Sequence, residues 1–233
     1  MRLLVNGCSF SRGPIAWPNH VARLLNADLV NLAQSGAGNN YIAQTTQAEL
    51  ARCDYDLVLV MWSGLERIDI QVERIEDFDQ TLCTSLYQSS QNDWAEKIVE
   101  PVNDQDCVQK DWVFGVGYLN GDRFLTSNGL FTKQYMYQSL SQHTQRSMYH
   151  MISLQSYCKS RGIPFVAAFY QNYVTEFDHF PTLKAQLDWN NIYNQVNLFD
   201  LVKQTKDFDT DGLHPGATAY ERWAVNLYNF ISK

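Results

Sequence analysis

The chain has 233 residues, of which 45% are hydrophobic and 18% are charged, and it carries a formal net charge of −7. This composition is typical of a globular protein, and the length suits one sizeable α/β domain. Because the balance is acidic and no cluster of lysine and arginine occurs, we expect no nucleic-acid partner. No apolar run reaches the ~18 residues of a membrane span and no signal peptide is visible, so we expect no membrane partner and a cytoplasmic location.

Cysteine usage argues against a disulfide framework and against a zinc site. The five cysteines are Cys8, Cys53, Cys83, Cys107 and Cys158. Their number is odd and no CxxC pair occurs, which favours free thiols in a reducing compartment. The sequence therefore predicts no metal and no cofactor.

The first part of the chain alternates between strands and helices. Strands are predicted at residues 3–5, 28–33 and 56–62, and helices at residues 17–25 and 41–53. The third of these strands is an unbroken apolar run, as expected for a strand that is covered on both faces. The alternation predicts a parallel sheet with helices on both sides, so that the loops that follow the strands meet at one edge.

Residues 67–133 interrupt this alternation and are too long for a plain loop, so they are predicted to form an insertion after the third strand. The pattern of residues 67–90 is partly helical, whereas residues 112–126 predict a hairpin on an Asn-Gly turn. Two interpretations of the insertion stay open. It either walls the functional site or elaborates the fold.

The alternation resumes after the insertion. A helix is predicted over residues 134–161, a buried strand over residues 163–170, a short helix over residues 198–204 and a last helix from residue 218. Thr218 and Glu221 have the spacing of a capping box at the start of that last helix. No repeat, low-complexity segment or linker occurs, so residues 1–233 are predicted to form a single domain.

A serine after the first strand and a histidine near the end of the chain are the candidate reactive groups. A serine hydroxyl is a weak nucleophile, and it needs an imidazole to take its proton and an anion to hold that imidazole. Asp211 and His214 lie three residues apart on a tight turn, where the carboxylate can reach Nδ1 and leave Nε2 to face a serine. Asp207 and Asp209 are rivals for the role of that acid.

The order of these features resembles that of the SGNH (GDSL-like) hydrolases. The resemblance lies in residues 7–11 (GCSFS), residues 31–36 (NLAQSG) and residues 211–215 (DGLHP). In order it covers nearly the whole chain, although the motifs themselves are short. It implies a three-layer α/β/α sandwich with a five-stranded, parallel, flavodoxin-like sheet, and it implies hydrolysis of an acyl ester through an acyl-enzyme.

Carried over to this sequence, the resemblance implies a role for each of four residues. Ser9 would be the nucleophile, and His214 would be the general base and then the acid for the leaving group. Asp211 would orient His214. The backbone N–H groups of Ser9 and Gly36 would stabilise the oxyanion, where each donor is typically worth roughly 2.7–4 kcal/mol.

The chain departs from the family pattern at two places. The family usually has Gly-Asp-Ser at the nucleophile, whereas Cys8 stands in the middle here. Cys8 is a rival nucleophile, although alternation along the strand aims it away from Ser9 and favours a buried structural thiol. The family also usually places an asparagine after the third strand as an oxyanion donor. Here residues 62–67 read WSGLER, so Ser63 or Asn39 would have to replace it.

The main hypothesis is therefore a serine esterase or deacylase. Its partner would be a small-molecule or glycan ester, and an O-acetyl group on a carbohydrate is suggested by family habit and the aromatic-rich insertion. A second hypothesis is a non-catalytic binding or structural module, which the missing asparagine favours. A third, a nucleotide binder that uses the glycines of residues 36–38, lacks both a GxGxxG and a P-loop pattern. Arg67 either binds an anionic substrate group or forms a surface ion pair with Glu66 or Asp69.

Overall fold

The computed structural model of the chain describes residues 1–65, 67–72, 111–115, 140–212 and 214–233. Its strands are β1 (Arg2–Asn6), β2 (Asp28–Asn31), β3 (Leu57–Trp62), β4 (Ile68–Val72), β5 (Asp111–Gly115), β6 (Phe165–Phe169) and β7 (Ile192–Tyr193). Its α-helices are α1 (Trp17–Leu25), α2 (Asn39–Arg52), α3 (Leu140–Ser160), α4 (Val174–Phe177), α5 (Pro181–Lys184), α6 (Leu198–Thr205) and α7 (Ala217–Ile231). Short 3₁₀ helices cover Ser9–Ser11 and Trp189–Asn191.

The main sheet has the order β2-β1-β3-β6-β7, and each pair of neighbouring strands is parallel. This is the flavodoxin-like order, in which the direction of winding reverses between β1 and β3. The five-stranded parallel sheet and the flanking helices confirm the predicted α/β fold. Ligands in such sheets bind beyond the carboxyl ends of the strands at the reversal, where the loops after β1 and β3 lie.

The core explains why the third strand reads as an unbroken apolar run. All six residues of β3 are buried, because the strand lies in the middle of the sheet with helices over both faces. Helices α1 and α7 pack against each other, as do α2 and α3. Trp17 and Trp223 join the first pair edge to face, with their ring centroids 5.1 Å apart. These contacts fix the sheet edge that carries the candidate site.

The first part of residues 67–90, a stretch predicted to be partly helical, is a strand. Residues 68–72 form β4, which pairs antiparallel with β5. The sequence IDIQV alternates β-branched and polar residues, and this period of two favours a strand over a helix. The predicted strand that starts at residue 112 is present over residues 111–115, whereas the rest of the insertion, including residues 123–126 of the predicted hairpin, lies outside the described residues.

The predicted capping box of the last helix is also wrong. Helix α7 has Gly216 as its N-cap, two residues before Thr218. The acceptor comes instead from Asp207, whose Oδ2 accepts a hydrogen bond from the Ala219 N–H at 2.6 Å. A Cβ on Gly216 would lie 2.4 Å from Asp207 Oδ1, so the carboxylate occupies the space of a capping side chain. The start of α7 is therefore tied to the loop that precedes it.

Two histidines on α3, His143, which is buried, and His150, which is partly buried, make the fold sensitive to acid. Burial, with the nearby charge of Arg146, lowers the pKa of both His143 and His150 to about 4. In the unfolded chain the two histidines have ordinary pKa values near 6.5. Between pH 4 and 6.5 the unfolded chain therefore binds more protons than the folded protein does. The free energy of unfolding should therefore fall as the pH drops from 6.5 to 4, by roughly 1–2 kcal/mol for each histidine after allowance for solvent screening.

Urea unfolding at pH 7.5, 5 and 4 checks this expectation with His143→Gln. The variant should lose less stability than the wild type between pH 7.5 and 4. The comparison is made between variants because Asp69, whose pKa is raised to about 6 mainly by burial, changes the stability in the opposite direction between pH 3.8 and 6. His179→Gln, at an exposed position, is the control. Equal losses in wild type and His143→Gln would contradict the assignment.

Candidate functional site

Ser9 opens a 3₁₀ turn directly beyond the end of β1. Its side chain is partly exposed, whereas its neighbours Phe10 and Ser11 are buried. The turn is tight at Gly7. A Cβ on this residue would lie 2.4 Å from Ser11 Oγ, so only glycine fits there. Ser11 Oγ accepts a hydrogen bond from Trp17 Nε1 at 3.0 Å and serves the packing of α1. Of the two serines in this loop, Ser9 is thus the one that reaches the surface.

Cys8 lies on the opposite side of the turn from solvent. It is fully buried and its thiol is free. Such a thiol behaves as a small apolar side chain, and a buried cysteine is rarely reactive. The geometry therefore favours the structural interpretation of Cys8 over the rival interpretation as a nucleophile.

Asp211 holds His214 through two contacts. Its Oδ2 lies 2.5 Å from His214 Nδ1, and its Oδ1 accepts a hydrogen bond from the His214 backbone N–H at 2.9 Å. The two side chains are 25% and 16% exposed, so the pair stands at the surface of a partly enclosed site. Because Nδ1 faces the carboxylate, the imidazole directs its other nitrogen, Nε2, away from Asp211.

The other two acids of this loop have different contacts. Asp207 caps α7 through the Ala219 N–H. Asp209 Oδ1 accepts a hydrogen bond from the Thr210 N–H, and its backbone N–H donates to the His214 carbonyl at 2.8 Å. These bonds shape the turn that presents His214. Among the three acids, the one whose carboxylate contacts the imidazole is Asp211.

His214 lies against the serine loop. Its ring packs on Phe10 with the centroids 5.1 Å apart, and Phe10 in turn packs on Tyr170 at 4.9 Å. Phe10 directly follows Ser9 in the chain. Loops at opposite ends of the sequence are therefore brought together at the carboxyl edge of β1.

The glycine-rich loop after β2 is bonded to the same serine loop. The Gln34 N–H donates to the Gly7 carbonyl at 3.2 Å, and Asn31 Nδ2 donates to the Ser11 carbonyl at 2.8 Å. The Ala37 N–H donates back to the Gln34 carbonyl and closes a turn in which Gly36 has φ +83°. A positive φ at the third position of such a turn requires glycine. The loop that contains Gly36 is thus bonded to the loop that contains Ser9.

The end of β3 places the two candidates for the missing asparagine in contact with each other. The Ser63 N–H donates to Asn39 Oδ1 at 2.8 Å, while Asn39 Nδ2 donates to Ser147 Oγ at 3.1 Å and to the Ser63 carbonyl at 3.4 Å. In the part of the chain that the structure describes, the buried Ser63 hydroxyl has no hydrogen-bond partner. The amide of Asn39 is therefore engaged in the structure, and the hydroxyl of Ser63 is not.

Sequence reasoning missed the role of Asn6, the last residue of β1. This side chain is fully buried, accepts a hydrogen bond from the Gly7 N–H at 2.8 Å and donates to Thr45 and Thr46 of α2 at 2.8 and 2.9 Å. It fixes the point at which the chain leaves the sheet for Ser9. The signal in the sequence was a polar residue at the end of an apolar strand, directly before the reactive loop.

Among the described residues, no group of three or more His, Cys, Asp or Glu side chains is arranged to hold a metal ion. No helix within the described ranges is long and apolar enough to cross a membrane.

Comparison with known proteins gives structural matches alone. No family model and no curated protein matches the sequence. Among solved structures, the psychrotrophic esterase EstA from Pseudoalteromonas sp. is 10% identical with a TM-score of 0.53, over 99% of this chain and 96% of that one. TesA is 13% identical with a TM-score of 0.52, over 99% and 98%. A variant of Axe2, an acetyl-xylooligosaccharide esterase from Geobacillus stearothermophilus, is 12% identical with a TM-score of 0.52, over 100% and 94%. The chain therefore shares the fold of these proteins.

Proposed function

We propose that this protein hydrolyses carboxylic esters, with Ser9 as the nucleophile, His214 as the general base and Asp211 as the residue that orients His214. The observation that carries the proposal is the Asp211–His214 pair, held at 2.5 Å with its ring packed against the residue that follows Ser9. A base held by an acid beside a partly exposed serine is the arrangement that activates a hydroxyl. The fold shared with two proteins named as esterases adds support.

The chemistry balances without a cofactor. Ser9 Oγ attacks the ester carbonyl while His214 Nε2 takes the hydroxyl proton, and Asp211 stabilises the imidazolium that results. The tetrahedral oxyanion accepts hydrogen bonds from the Ser9 and Gly36 N–H groups. Collapse expels the alcohol, which takes the proton from His214, and leaves Ser9 acylated. Water then repeats the sequence, releasing the carboxylic acid and restoring the hydroxyl.

Ser63 supplies the third oxyanion donor in this proposal. Its hydroxyl is enclosed in the free protein and would turn toward the oxyanion when an ester carbonyl enters. Asn39 remains the other candidate, but it would first have to give up one of its bonds to Ser63 and Ser147. A buried hydroxyl without a partner lowers the free energy of unfolding by about 1–3 kcal/mol. A role in binding the oxyanion would explain why Ser63 is nevertheless present.

Ser63→Ala is expected to lower kcat about 10²-fold, the usual effect of losing one side-chain oxyanion donor. Stability should stay unchanged or rise, because the variant removes a buried hydroxyl that has no partner among the described residues. Steady-state kinetics and thermal unfolding of the same preparations check both. Ser147→Ala, which removes an acceptor of Asn39 and leaves Ser63 intact, is the control and should change kcat only slightly. Unchanged kcat in Ser63→Ala would move the assignment to Asn39.

The substrate we propose is an O-acetyl ester on a carbohydrate. The support is the likeness to Axe2, which is named as an esterase of acetylated xylo-oligosaccharides. Acetate release from acetylated xylo-oligosaccharide, compared with release from p-nitrophenyl acetate, tests this choice. Turnover of the nitrophenyl ester alone would retain the esterase and reject the carbohydrate.

A fluorophosphonate probe, which mimics the tetrahedral intermediate, tests the esterase itself. EstA is described as inhibited by monoethylphosphonate, so a phosphonate is a suitable probe for this fold. We expect hydrolysis of p-nitrophenyl acetate and probe labelling that maps to Ser9 by peptide mass spectrometry. Labelling at Cys8 would move the nucleophile. Neither labelling nor hydrolysis would reject the proposal and favour a non-catalytic binding module.

A further inference from the structure

Asp69, a residue of β4, bonds to the loop that presents Gly36. Its Oδ1 accepts a hydrogen bond from the Gly38 N–H at 2.7 Å, and its Oδ2 accepts one from the Tyr41 N–H at 2.9 Å. One carboxylate thereby holds two backbone donors in the first turn of α2. Backbone N–H groups at this end of a helix have no partner within the helix, so a side chain that accepts from them stabilises it.

Helix α2 needs this outside acceptor because its own cap lacks a side chain. The N-cap is Gly38, and a Cβ placed there would lie 2.7 Å from Asp69 Oδ2. The usual arrangement, in which the N-cap residue caps its own helix, is thus replaced by a carboxylate 31 residues further along the chain. Strand β4, the first strand of the insertion, thus holds the start of α2 and the loop that precedes it.

Arg67 bonds to the same loop on its other side. Its Nη1 donates to the Ala37 carbonyl at 3.0 Å, and its own carbonyl accepts from Arg146 Nη2 of α3 at 3.2 Å. Burial raises the pKa of Asp69 to about 6, although the two backbone hydrogen bonds and then the two arginines lower it, and the carboxylate is mostly charged at neutral pH. The charged carboxylate has an acceptor oxygen for each of the two N–H groups.

We propose that Asp69, supported by Arg67, is a positioning residue that holds the Gly36 N–H and the Ser63 loop in the geometry of an oxyanion hole. Residues 37–41, which these two side chains hold, directly follow Gly36. They also include Asn39, whose Oδ1 accepts from the Ser63 N–H. The inference rests on the proposed esterase function. It goes beyond that function by assigning a part in it to residues that contact no reacting atom.

Kinetics of Asp69→Asn test the catalytic part of the inference. Asparagine keeps the shape but turns an amide N–H₂ toward one of the two backbone donors, so one hydrogen bond is lost. Misplacement of a catalytic group by about 1 Å costs on the order of 10² in rate, so we expect kcat per probe-labelled site to fall about 10- to 100-fold with KM nearly unchanged. A role in helix capping alone would lower the melting temperature and leave kcat per site intact, and that result would overturn the inference.

The matched control is Asp188→Ala. Asp188 also accepts a hydrogen bond from a backbone N–H at the start of a short helix, that of Asn190, but it lies before β7. A segment that enters a parallel strand lies at the edge opposite the site. This variant should lose stability without losing kcat. A fall in kcat equal to that of Asp69→Asn would show a general effect of destabilisation and would overturn the inference.

Hydrogen exchange separates failure of the inference from failure of the esterase proposal. The amides of residues 34–41 should exchange faster in Asp69→Asn than in the wild type, whether or not the protein hydrolyses esters. Unchanged exchange would reject the support by Asp69. Faster exchange in a protein whose wild type neither labels nor turns over would retain that support as structural and reject the catalytic part of the inference with the esterase.

Discussion

Ser9→Ala is expected to lower kcat for p-nitrophenyl acetate by about 10⁴-fold or more and to abolish labelling by a fluorophosphonate. Without the hydroxyl no acyl-enzyme can form, and the remaining donors stabilise only the attack of water. The protein should fold as before, because the Ser9 side chain is partly exposed and the loop around it is held by Gly7 and Ser11. Kinetics with circular dichroism of both proteins provide the measurement.

The loop offers its own matched control. Ser11 lies two residues from Ser9, but its hydroxyl accepts from Trp17 Nε1 in the interior. Ser11→Ala leaves a buried indole N–H unpaired, so we expect a loss of about 1–3 kcal/mol in the free energy of unfolding with kcat changed little. Retained labelling in Ser9→Ala, or loss of activity in Cys8→Ala with Ser9 intact, would assign the chemistry to another residue.

The main sheet could be predicted because its signals are local. Four short apolar segments, each ended by small or polar residues, read directly as strands, and the helices between them predict parallel pairing. The fifth strand, β7, has two residues and was expected only from the family resemblance. The central position of β3 follows from its composition, since it has no polar residue to place on an exposed face. Strand β4 was not predicted. Its five alternating residues were too few to outweigh the longer pattern over residues 67–90, which suggested a helix.

In the candidate site too, contacts between residues close in the sequence could be predicted, whereas contacts between distant residues could not. The Asp211–His214 pair could be predicted because three residues on one turn already place the carboxylate near Nδ1. The support from Asp69 could not, because the helix that it caps begins 30 residues earlier and only the folded chain brings them together. The same reason hid the start of α7, which Asp207 caps from the preceding loop. In both helices the N-cap is a glycine, which has no side chain to cap the helix, and the capping oxygen comes from a carboxylate outside the helix.

The second large effect is expected for Asp211→Asn, which should lower kcat by about 10³- to 10⁴-fold while KM changes little. The asparagine amide would either donate to Nδ1 or accept from it weakly. In either case it neither holds the tautomer that leaves Nε2 free as a base nor stabilises the imidazolium. The loop itself should persist, because an asparagine oxygen can still accept from the His214 N–H. Steady-state kinetics of both proteins measure the loss.

Asp207→Asn makes the same chemical change four residues away and decides between the rival acids. Its carboxylate lies on the first turn of α7, so the variant loses an interaction between charge and helix dipole, worth about 0.3–1 kcal/mol, and kcat should stay within a few-fold. A large loss of kcat in Asp207→Asn with Asp211→Asn still active would exchange the two roles. Equal and large losses in both would mean that the loop as a whole, rather than one carboxylate, sets the imidazole. The 2.5 Å contact between Asp211 and His214, against the backbone contact of Asp207, is the reason we expect neither result.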